Sequence, residues 1–552
     1  MSANKGSENP PTQPRSWWRL YAGTFLATFF PVLLLGGNTP PYNDGKQIFA
    51  HAENLVYHGK LGIDLAPGIV FYSPRPILVS LVHVPDVALR RALGHFFPQA
   101  DQLTRIVTSH LVPAALLSLT CVLFLRFLLH LSVAAGIASV ASVALAFCTM
   151  LFVFGRVVWS DIVQAFAFWG FFSETLLFVR DPKRKKALLL GVWAGILVNS
   201  KYLYVLTLLG GLCFVGTLTL RRLGWRPTVR LFGWAALAAL PFALPVLWFN
   251  YVRNGTLFHT GYDVEPFQES LVWGFYALFF STGKGLFLYN PPLVLGFWPS
   301  RKLPRYWWWA VAAMAGPVVL LYSKYSNWGG DWSWGPRYII FLVPILMVPA
   351  ALLLEQLWDR RKHLALACVT GVAVVGLFVQ LVGAGLYWDH FIRLSQAARA
   401  QWLGIPNRAG AYTPPRGDHC DPCFEDLHAH SYLPAFQPIE GHYWLLKHAL
   451  RGDTWETAAN DAPWRRYTSL PLDATKRWYP WPPIDWWYLG FAPKFANAGR
   501  LLFALLLLGS AGGVTLWVQA LRRLRRPPAA PSPTRQATDA PGPSAPGAPA
   551  AT

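Results

Sequence analysis

Long apolar runs alternate with short polar segments along this chain. Runs such as 111–125 and 187–198 are almost entirely apolar. A bilayer crossing needs roughly 20 mostly apolar residues, and many segments reach that length. The pattern therefore predicts an all-α polytopic membrane protein with about twelve transmembrane helices. Outside loops, juxtamembrane helices and a small extracytoplasmic region complete the predicted fold.

Short basic clusters between the apolar runs set the predicted topology. The clearest is 180–186, and others follow at 221–230, 301–305, 360–362 and 522–526. Cytoplasmic loops carry an excess of Lys and Arg. All these clusters fall on one side of the membrane when both termini are cytoplasmic, so we expect that arrangement.

Five regions follow from this topology. They are a cytoplasmic N-terminus (1–19), a transmembrane module (20–386), an extracytoplasmic region (387–494), a last transmembrane helix (495–521), and a basic then disordered Pro- and Ala-rich cytoplasmic tail (522–552). Within the module the pattern predicts a third helix over 133–154, a break near 199–204, and an eighth helix that follows Pro291 and Pro292. No small-residue cleavage site follows the first apolar run, which predicts an uncleaved first helix.

Composition agrees with a membrane protein and excludes a nucleic-acid partner. The 552 residues are 54% hydrophobic and only 14% charged, whereas soluble chains average about 25% charged residues. The 27 Trp suit the interfaces between membrane and water. The net charge of +21 does not indicate nucleic acid, because the basic residues lie in short clusters between apolar runs. The lipid bilayer is the predicted partner.

Two cysteines lie in the predicted extracytoplasmic region. Cys420 and Cys423 stand near His419, His428 and His430. A local disulfide is favoured in an oxidising compartment. A zinc site built from two Cys and two His is a second reading, and free thiols are a third.

The first outside loop places an acid just before an amphipathic helix. Asp44 follows Asn43, and apolar residues then recur at helical spacing over 48–56, which predicts a helix along the membrane surface. Either residue could cap this helix. Alternatively, Asp44 is a general base at the membrane surface.

The second outside loop pairs Arg156 with Asp161. An acid at the start of a membrane helix is stabilised by the helix dipole, and the two side chains could pair with each other. The functional reading is that Asp161 faces a polar cavity at the helix mouth.

The segment 328–337 is dense in Trp and Gly. An interfacial aromatic belt is the simpler reading. Flat rings such as Trp332 and Trp334 also suit sugar faces, and Arg337 near a helix N-terminus suits a phosphate. Lys201, Lys284 and Lys324 near predicted helix ends are further candidates for binding a phosphate, although lone lysines more often snorkel.

Several of these motifs carry a family resemblance. They are Asn43-Asp44-Gly45, Arg156 with Asp161, and the runs 283–292, 328–337 and 441–446. Over 20–521 the chain resembles the GT-C superfamily of membrane glycosyltransferases, in the style of bacterial enzymes akin to protein O-mannosyltransferases and the lipid A aminoarabinose transferase. Protein O-mannosyltransferases carry an Asp-Glu pair in the first loop. Asn43-Asp44 departs from that pattern and disfavours that subgroup.

The resemblance implies an inverting transfer of sugar from a polyprenyl-phosphate lipid to an extracytoplasmic lipid, glycan or protein, in the bacterial inner membrane with the active site outside. It implies Asp44 as the base and Asp161 as the second acid. The implied substrate-binding residues are Arg156, Lys201, Lys284, Lys324, Trp332, Trp334 and Arg337. No cofactor is implied with certainty, and a divalent cation stays open.

Three other functions remain open from the residues alone. A transporter or flippase would place polar groups at broken helices, as Asn199 and Lys201 are placed. A ligase or polymerase that uses polyprenyl diphosphate would also need outside arginines and one acid. A structural membrane protein is the third.

Overall fold

The structure is a computed structural model. It describes residues 17–38, 44–66, 69–96, 101–261, 267–330, 333–387, 390–395, 398, 433–466, 480–491 and 496–525. Asn43, Trp332 and the group around Cys420 and Cys423 lie outside the described residues. The disulfide, zinc site and free thiols considered for this cysteine pair therefore stay predictions.

The described chain is helical almost throughout. The first helices in chain order are Trp17–Leu34 (α1), Asp44–His58 (α2), Leu78–Leu81 (α3), Val84–Phe96 (α4), Asp101–Ser109 (α5), Leu111–His130 (α6), Ala135–Phe147 (α7) and Leu151–Phe154 (α8). Then follow Ser160–Arg180 (α9), Arg184–Ser200 (α10), Val205–Leu223 (α11), Trp225–Asn254 (α12), Leu271–Phe280 (α13), Leu286–Tyr289 (α14), Trp307–Met314 (α15), Gly316–Lys324 (α16), Leu342–Asp359 (α17) and His363–Gly385 (α18). The last are Pro438–Arg451 (α19), Trp455–Asn460 (α20), Trp487–Phe491 (α21) and Ala496–Arg525 (α22).

Sheet structure within the described residues is a single short hairpin. Strands Ile63–Ala66 (β1) and Ile69–Phe71 (β2) pair antiparallel, with Ile63 opposite Phe71. The hairpin turns the chain between α2 and α3, and so carries the segment after Phe71 back towards the start of α2.

Seven of the described helices are long and apolar enough to cross a membrane, judged by length and composition. They are Asp101–His130, Ser160–Arg180, Tyr202–Leu223, Trp225–Asn254, Leu342–Asp359, His363–Gly385 and Asn497–Leu524. Only 6% of the apolar window of α12 is buried inside the protein. A surface that apolar is stable when lipid covers it. The all-α polytopic class is confirmed, while the count of twelve crossings stays a prediction.

The predicted break near 199–204 is confirmed, because α10 ends at Ser200 and α11 begins at Val205. The predicted continuous third helix is wrong. It divides into α7 and α8, and the Asn290 side chain accepts a hydrogen bond from the freed Met150 N–H at 2.7 Å. A long-range polar contact of this kind leaves no periodic signal in the sequence.

The predicted helix after Pro291 and Pro292 is also wrong. That segment is a 3-10 helix, Pro291–Phe297, and a longer α-helix of this region, α13, lies earlier, at Leu271–Phe280. The turns of the 3-10 helix close with i to i−3 hydrogen bonds, such as Leu293 N–H to the Asn290 oxygen at 2.9 Å and Trp298 N–H to the Leu295 oxygen at 3.2 Å.

The first described helix, α1, and the last, α22, pack closely together. Small residues make the approach possible. A Cβ added to Gly23 would lie 2.8 Å from the Trp517 backbone, and one on Gly513 would lie 2.6 Å from the Leu26 backbone. Close backbone packing through small residues is the usual contact between membrane helices.

The region predicted to be extracytoplasmic has its own small core around Trp444, Trp455 and Trp464. His448 sits beside it and contacts Asp453 at 2.7 Å and Asp461 at 3.1 Å, one through each ring nitrogen. These contacts tie α19 to the residues that follow it.

Candidate active site

A cavity of about 380 Å³ lies where several helix ends meet the loop after β2. It is lined by acids, cations and tyrosines: Asp44, Arg75, Pro76, Ser160, Asp161, Ser200, Lys201, Tyr202, Leu203, Thr260, Phe267, Tyr322, Tyr325, Arg337 and Tyr338. Asp44, Asp161, Lys201 and Arg337 were all predicted from the sequence. Segments almost 300 residues apart in the chain therefore meet in one cavity.

Asp44 is held between two arginines. Its Oδ1 lies 2.5 Å from Arg75 Nη2, and its Oδ2 lies 3.2 Å from Arg337 Nη1. Burial alone would raise the pKa of Asp44, but the Arg337 and Arg75 charges together lower that pKa below its usual value. The carboxylate is therefore ionised at neutral pH and serves as the counterion of both arginines.

The position of the start of α2 depends on Gly45, the glycine that follows Asp44. A Cβ added to Gly45 would lie 2.0 Å from the backbone oxygen of Val158. That distance is far below any contact that a real Cβ makes, and a backbone atom cannot swing aside as a flexible side chain does. Gly45 thus lets the start of α2 rest directly on the loop before Asp161.

We expect Gly45→Ala to displace Asp44 from the cavity. The added methyl group must push α2 away from Val158, and such overpacking typically costs about 1–3 kcal/mol. Any activity that depends on Asp44 should fall by at least about tenfold. The control is Gly94→Ala on α4, where a Cβ would meet nothing within 4 Å. Equal activity in the two variants would contradict the expectation.

Arg75 is a site residue that the sequence reasoning missed. Besides its ion pair with Asp44, its Nη1 donates to Gln47 Oε1 at 3.2 Å, and its backbone N–H donates to Ser73 Oγ at 3.3 Å. It stands between Pro74 and Pro76 after the hairpin. The Pro-Arg-Pro sequence was the available sign of a cation in a fixed position, but the pattern of hydrophobic residues does not reveal it.

Asp161 lies in the first turn of α9 and is buried. Arg337, Lys201 and Arg75 are the positive charges that act on its carboxyl group, and Asp44 is the negative one. Within the described part of the chain it makes no direct ion pair, and its predicted pairing with Arg156 is not found.

Lys201 occupies the break between α10 and α11. Its Nζ lies 5.1 Å from the ring centre of Tyr322 and 4.6 Å from that of Tyr338. The two rings stack on each other at 4.6 Å. Cation–π contacts therefore hold this lysine at the cavity wall, where it does not snorkel to a membrane surface.

Arg337 begins a 3-10 turn, Arg337–Ile339, and is buried. Its guanidinium carbon lies 4.9 Å from the Trp159 ring centre and 5.0 Å from that of Tyr338. Gly330 has a φ of +67°, and a Cβ there would lie 2.7 Å from Arg337 Cγ. The glycine in this Trp-rich segment thus makes room for the arginine stem.

Arg156, Lys284 and Trp334 lie outside the cavity lining. Arg156 is buried and donates to the backbone oxygens of Ala384 and Asp485, which joins the module to the extracytoplasmic region. Lys284 Nζ donates to the Ser333 backbone oxygen at 2.5 Å and to its hydroxyl at 3.2 Å. Both cations thus bond to the backbone and lie outside this lining, and their role in binding the substrate stays a prediction.

The Trp334 ring packs edge-on against Tyr289 at 5.0 Å and also contacts His442. It is therefore part of the core. Lys324 is exposed at the end of α16 and does not line the cavity. Trp332 lies outside the described residues, so its role stays a prediction.

Among the described residues, no group of three or more His, Cys, Asp or Glu side chains is arranged to hold a metal ion. The open question of a divalent cation stays open.

Two solved structures resemble the chain over most of its length. The crystal structure of ArnT from Cupriavidus metallidurans bound to undecaprenyl phosphate is 14% identical, with a TM-score of 0.44, and the match covers 92% of this chain and 77% of that one. The apo form of the same protein is 15% identical, with a TM-score of 0.41 and coverage of 91% and 76%. No protein-family model and no curated protein matches the sequence.

Proposed function

We propose that this chain is an inverting glycosyltransferase that moves a sugar from a polyprenyl-phosphate lipid to an extracytoplasmic lipid, glycan or protein. The observation that carries the proposal is the Asp44 carboxylate placed between Arg75 and Arg337 in a cavity that also holds Lys201 and Asp161. An acid and several cations in one cavity at the helix ends suit the transfer of a group from a phosphate.

The cavity lies at the helix ends opposite the basic clusters. Helix α9 begins at the cavity and ends at Arg180, and α11 begins there and ends near Arg222. Helix α10 runs the other way, from Arg184 to the cavity. Since basic clusters mark the cytoplasmic side, the cavity faces the outside of the bacterial inner membrane.

The described lining of the cavity carries three cations, Arg75, Lys201 and Arg337, and two acids, Asp44 and Asp161. This surplus of basic side chains suits a donor that carries a lipid-linked phosphate.

Donor binding also prepares the base. A phosphate oxygen that reaches Arg75 and Arg337 competes with Asp44 for their N–H donors. When the arginines turn to the phosphate, Asp44 loses its two ion pairs and becomes a stronger base. The carboxylate is therefore available to accept a proton only while the donor is present.

The proposed chemical step is a direct displacement at the anomeric carbon of the donor sugar. The acceptor hydroxyl oxygen attacks the anomeric carbon, and its proton passes to Asp44. The bond from the anomeric carbon to the phosphate oxygen breaks, and its electron pair stays on the phosphate, where Arg75, Arg337 and Lys201 stabilise the added charge. Attack from the face opposite the phosphate inverts the anomeric carbon. Polyprenyl phosphate and the glycosylated acceptor leave.

A direct test uses the purified full chain in liposomes with a panel of labelled polyprenyl-phosphate sugars and crude envelope acceptors. We expect label to pass from one donor to an acceptor, with inverted configuration in the product. Retained configuration would contradict the mechanism. Movement of the intact lipid across the bilayer without transfer would replace the proposal by a transporter or flippase.

A further inference from the structure

A buried histidine next to the cavity holds the segment that carries Arg75. His51 lies one turn after Gln47 on α2 and is 2% exposed. Its Nδ1 lies 2.7 Å from the Gln47 backbone oxygen, and its Nε2 lies 3.1 Å from the Ser73 backbone nitrogen. The two contacts link the helix of Asp44 to the segment of Arg75.

These contacts define the protonation state of the ring. A backbone oxygen only accepts, so Nδ1 carries the hydrogen and donates it to Gln47. A backbone N–H only donates, so Nε2 must present its lone pair to Ser73. The ring is therefore neutral. A proton on Nε2 would face the Ser73 N–H and break this contact.

The hydrogen bond between His51 and Ser73 is linked to Arg75 by further hydrogen bonds. Ser73 Oγ accepts the Arg75 backbone N–H at 3.3 Å, and Arg253 from α12 donates to the Ser73 backbone oxygen at 2.5 Å. Gln47, to which His51 donates through its backbone, also accepts from the Arg75 side chain. The segment that carries Arg75 is thus held by contacts with His51, Arg253 and Gln47.

We propose that His51 is a positioning residue that, as a neutral acceptor for Ser73, sets Arg75 in place for the donor phosphate. This inference rests on the proposed role of Arg75 in phosphate binding. His51 itself does not line the cavity, so it acts on the substrate through Arg75.

The charged groups around His51 agree with a neutral ring. Burial lowers the pKa of His51 and the Arg253 charge lowers it further, while the Gln47 and Phe71 backbone groups, which favour the protonated ring, only partly offset these effects on the pKa. The other ionisable groups nearby are Asp44 and Glu53 on α2, Arg75 on the held segment, and the His83–Asp86 pair, where His83 packs on Phe49 of α2. Because the folded pKa is below the unfolded one, the ring is neutral and its contact with Ser73 is intact at about pH 6.5, and the contact is lost as the pH falls through the folded pKa.

The test measures binding of the methyl ester of a fluorescent polyprenyl phosphate to the full chain from about pH 8 to about pH 5. This phosphodiester carries one charge throughout that range, so a change in affinity reports on the protein. For the wild type we expect roughly tenfold weaker binding once the pH has fallen through the lowered folded pKa of His51, the scale of one lost hydrogen bond.

Three variants separate the possible outcomes. His51→Gln keeps an acceptor but does not titrate, so it should bind as the wild type does at neutral pH and lose the acid weakening. His51→Leu removes the acceptor and should bind weakly at every pH. His58→Gln, an exposed site on the same helix, should keep the wild-type profile. An acid weakening that persists in His51→Gln would overturn the inference. If Arg75→Gln binds as the wild type does, the phosphate role of Arg75 in the proposed function fails instead.

Discussion

Asp44→Asn should abolish transfer and at the same time tighten binding of the donor-like lipid. A positioned base contributes about 10²–10⁴-fold to the rate, so we expect transfer to fall by about a thousandfold. The amide is uncharged and no longer competes with a phosphate for Arg75 and Arg337. Affinity for the methyl polyprenyl phosphate should therefore rise, by roughly tenfold for the loss of one competing ion pair.

The opposite signs of these two effects make the prediction specific. A variant that is merely misfolded loses both activity and affinity. The matched control is Asp64→Asn, an exposed carboxylate on the nearby hairpin that pairs with Lys60 at 3.1 Å, and it should change neither quantity. Weaker binding in Asp44→Asn would show that the carboxylate helps to hold the donor and would remove the competition mechanism.

Arg337→Gln should lower transfer by about 10²–10³-fold, because removing one preorganised donor to a developing negative charge costs about 2.7–4 kcal/mol of transition-state stabilisation. Binding of the methyl polyprenyl phosphate should weaken as well. Arg337→Lys should recover only part of the loss. A lysine keeps the charge, but it lacks the planar fork that contacts Asp44 while stacking between Trp159 and Tyr338.

Arg156→Gln is the contrasting variant for this experiment. Its guanidinium is also buried, but it bonds to the backbone oxygens of Ala384 and Asp485 and lies away from the cavity lining. We expect a lower thermal midpoint, measured by tryptophan fluorescence, with near wild-type turnover in the folded fraction. Loss of turnover without loss of stability in Arg156→Gln would restore the substrate-binding role that the sequence indicated.

Several features were decided by the sequence alone. The apolar runs are long enough to cross a bilayer, and residues in such runs bury their backbone polar groups only as helices, so the all-α polytopic class follows from composition and length. The break at Lys201 was also readable, because polar residues interrupt an apolar run there. Asp44, Asp161 and Arg337 were found because each stands at the edge of an apolar run, where the chain turns polar.

The tertiary structure decided which of these polar residues meet. Arg156, Lys284 and Arg337 are all cations at the ends of apolar runs, and the local sequence does not separate them. Only the packing places Arg337 against Asp44 while Lys284 bonds to Ser333. Asp44 and Arg337 are 293 positions apart in the chain, and the sequence between them gives no periodic trace of that contact.

The contacts of Arg75 and His51 were also not visible in the sequence, although these residues lie closer together in the chain. The hydrogen bond from Ser73 to His51 spans 22 residues and depends on a hairpin that turns the chain back onto α2. A neutral, buried histidine and a protonated, exposed one look identical in a sequence. The sequence determined that the chain crosses a membrane and which residues carry charge at its edge. The fold decided which charges share a cavity, because burial and distance set the strength of each electrostatic contact.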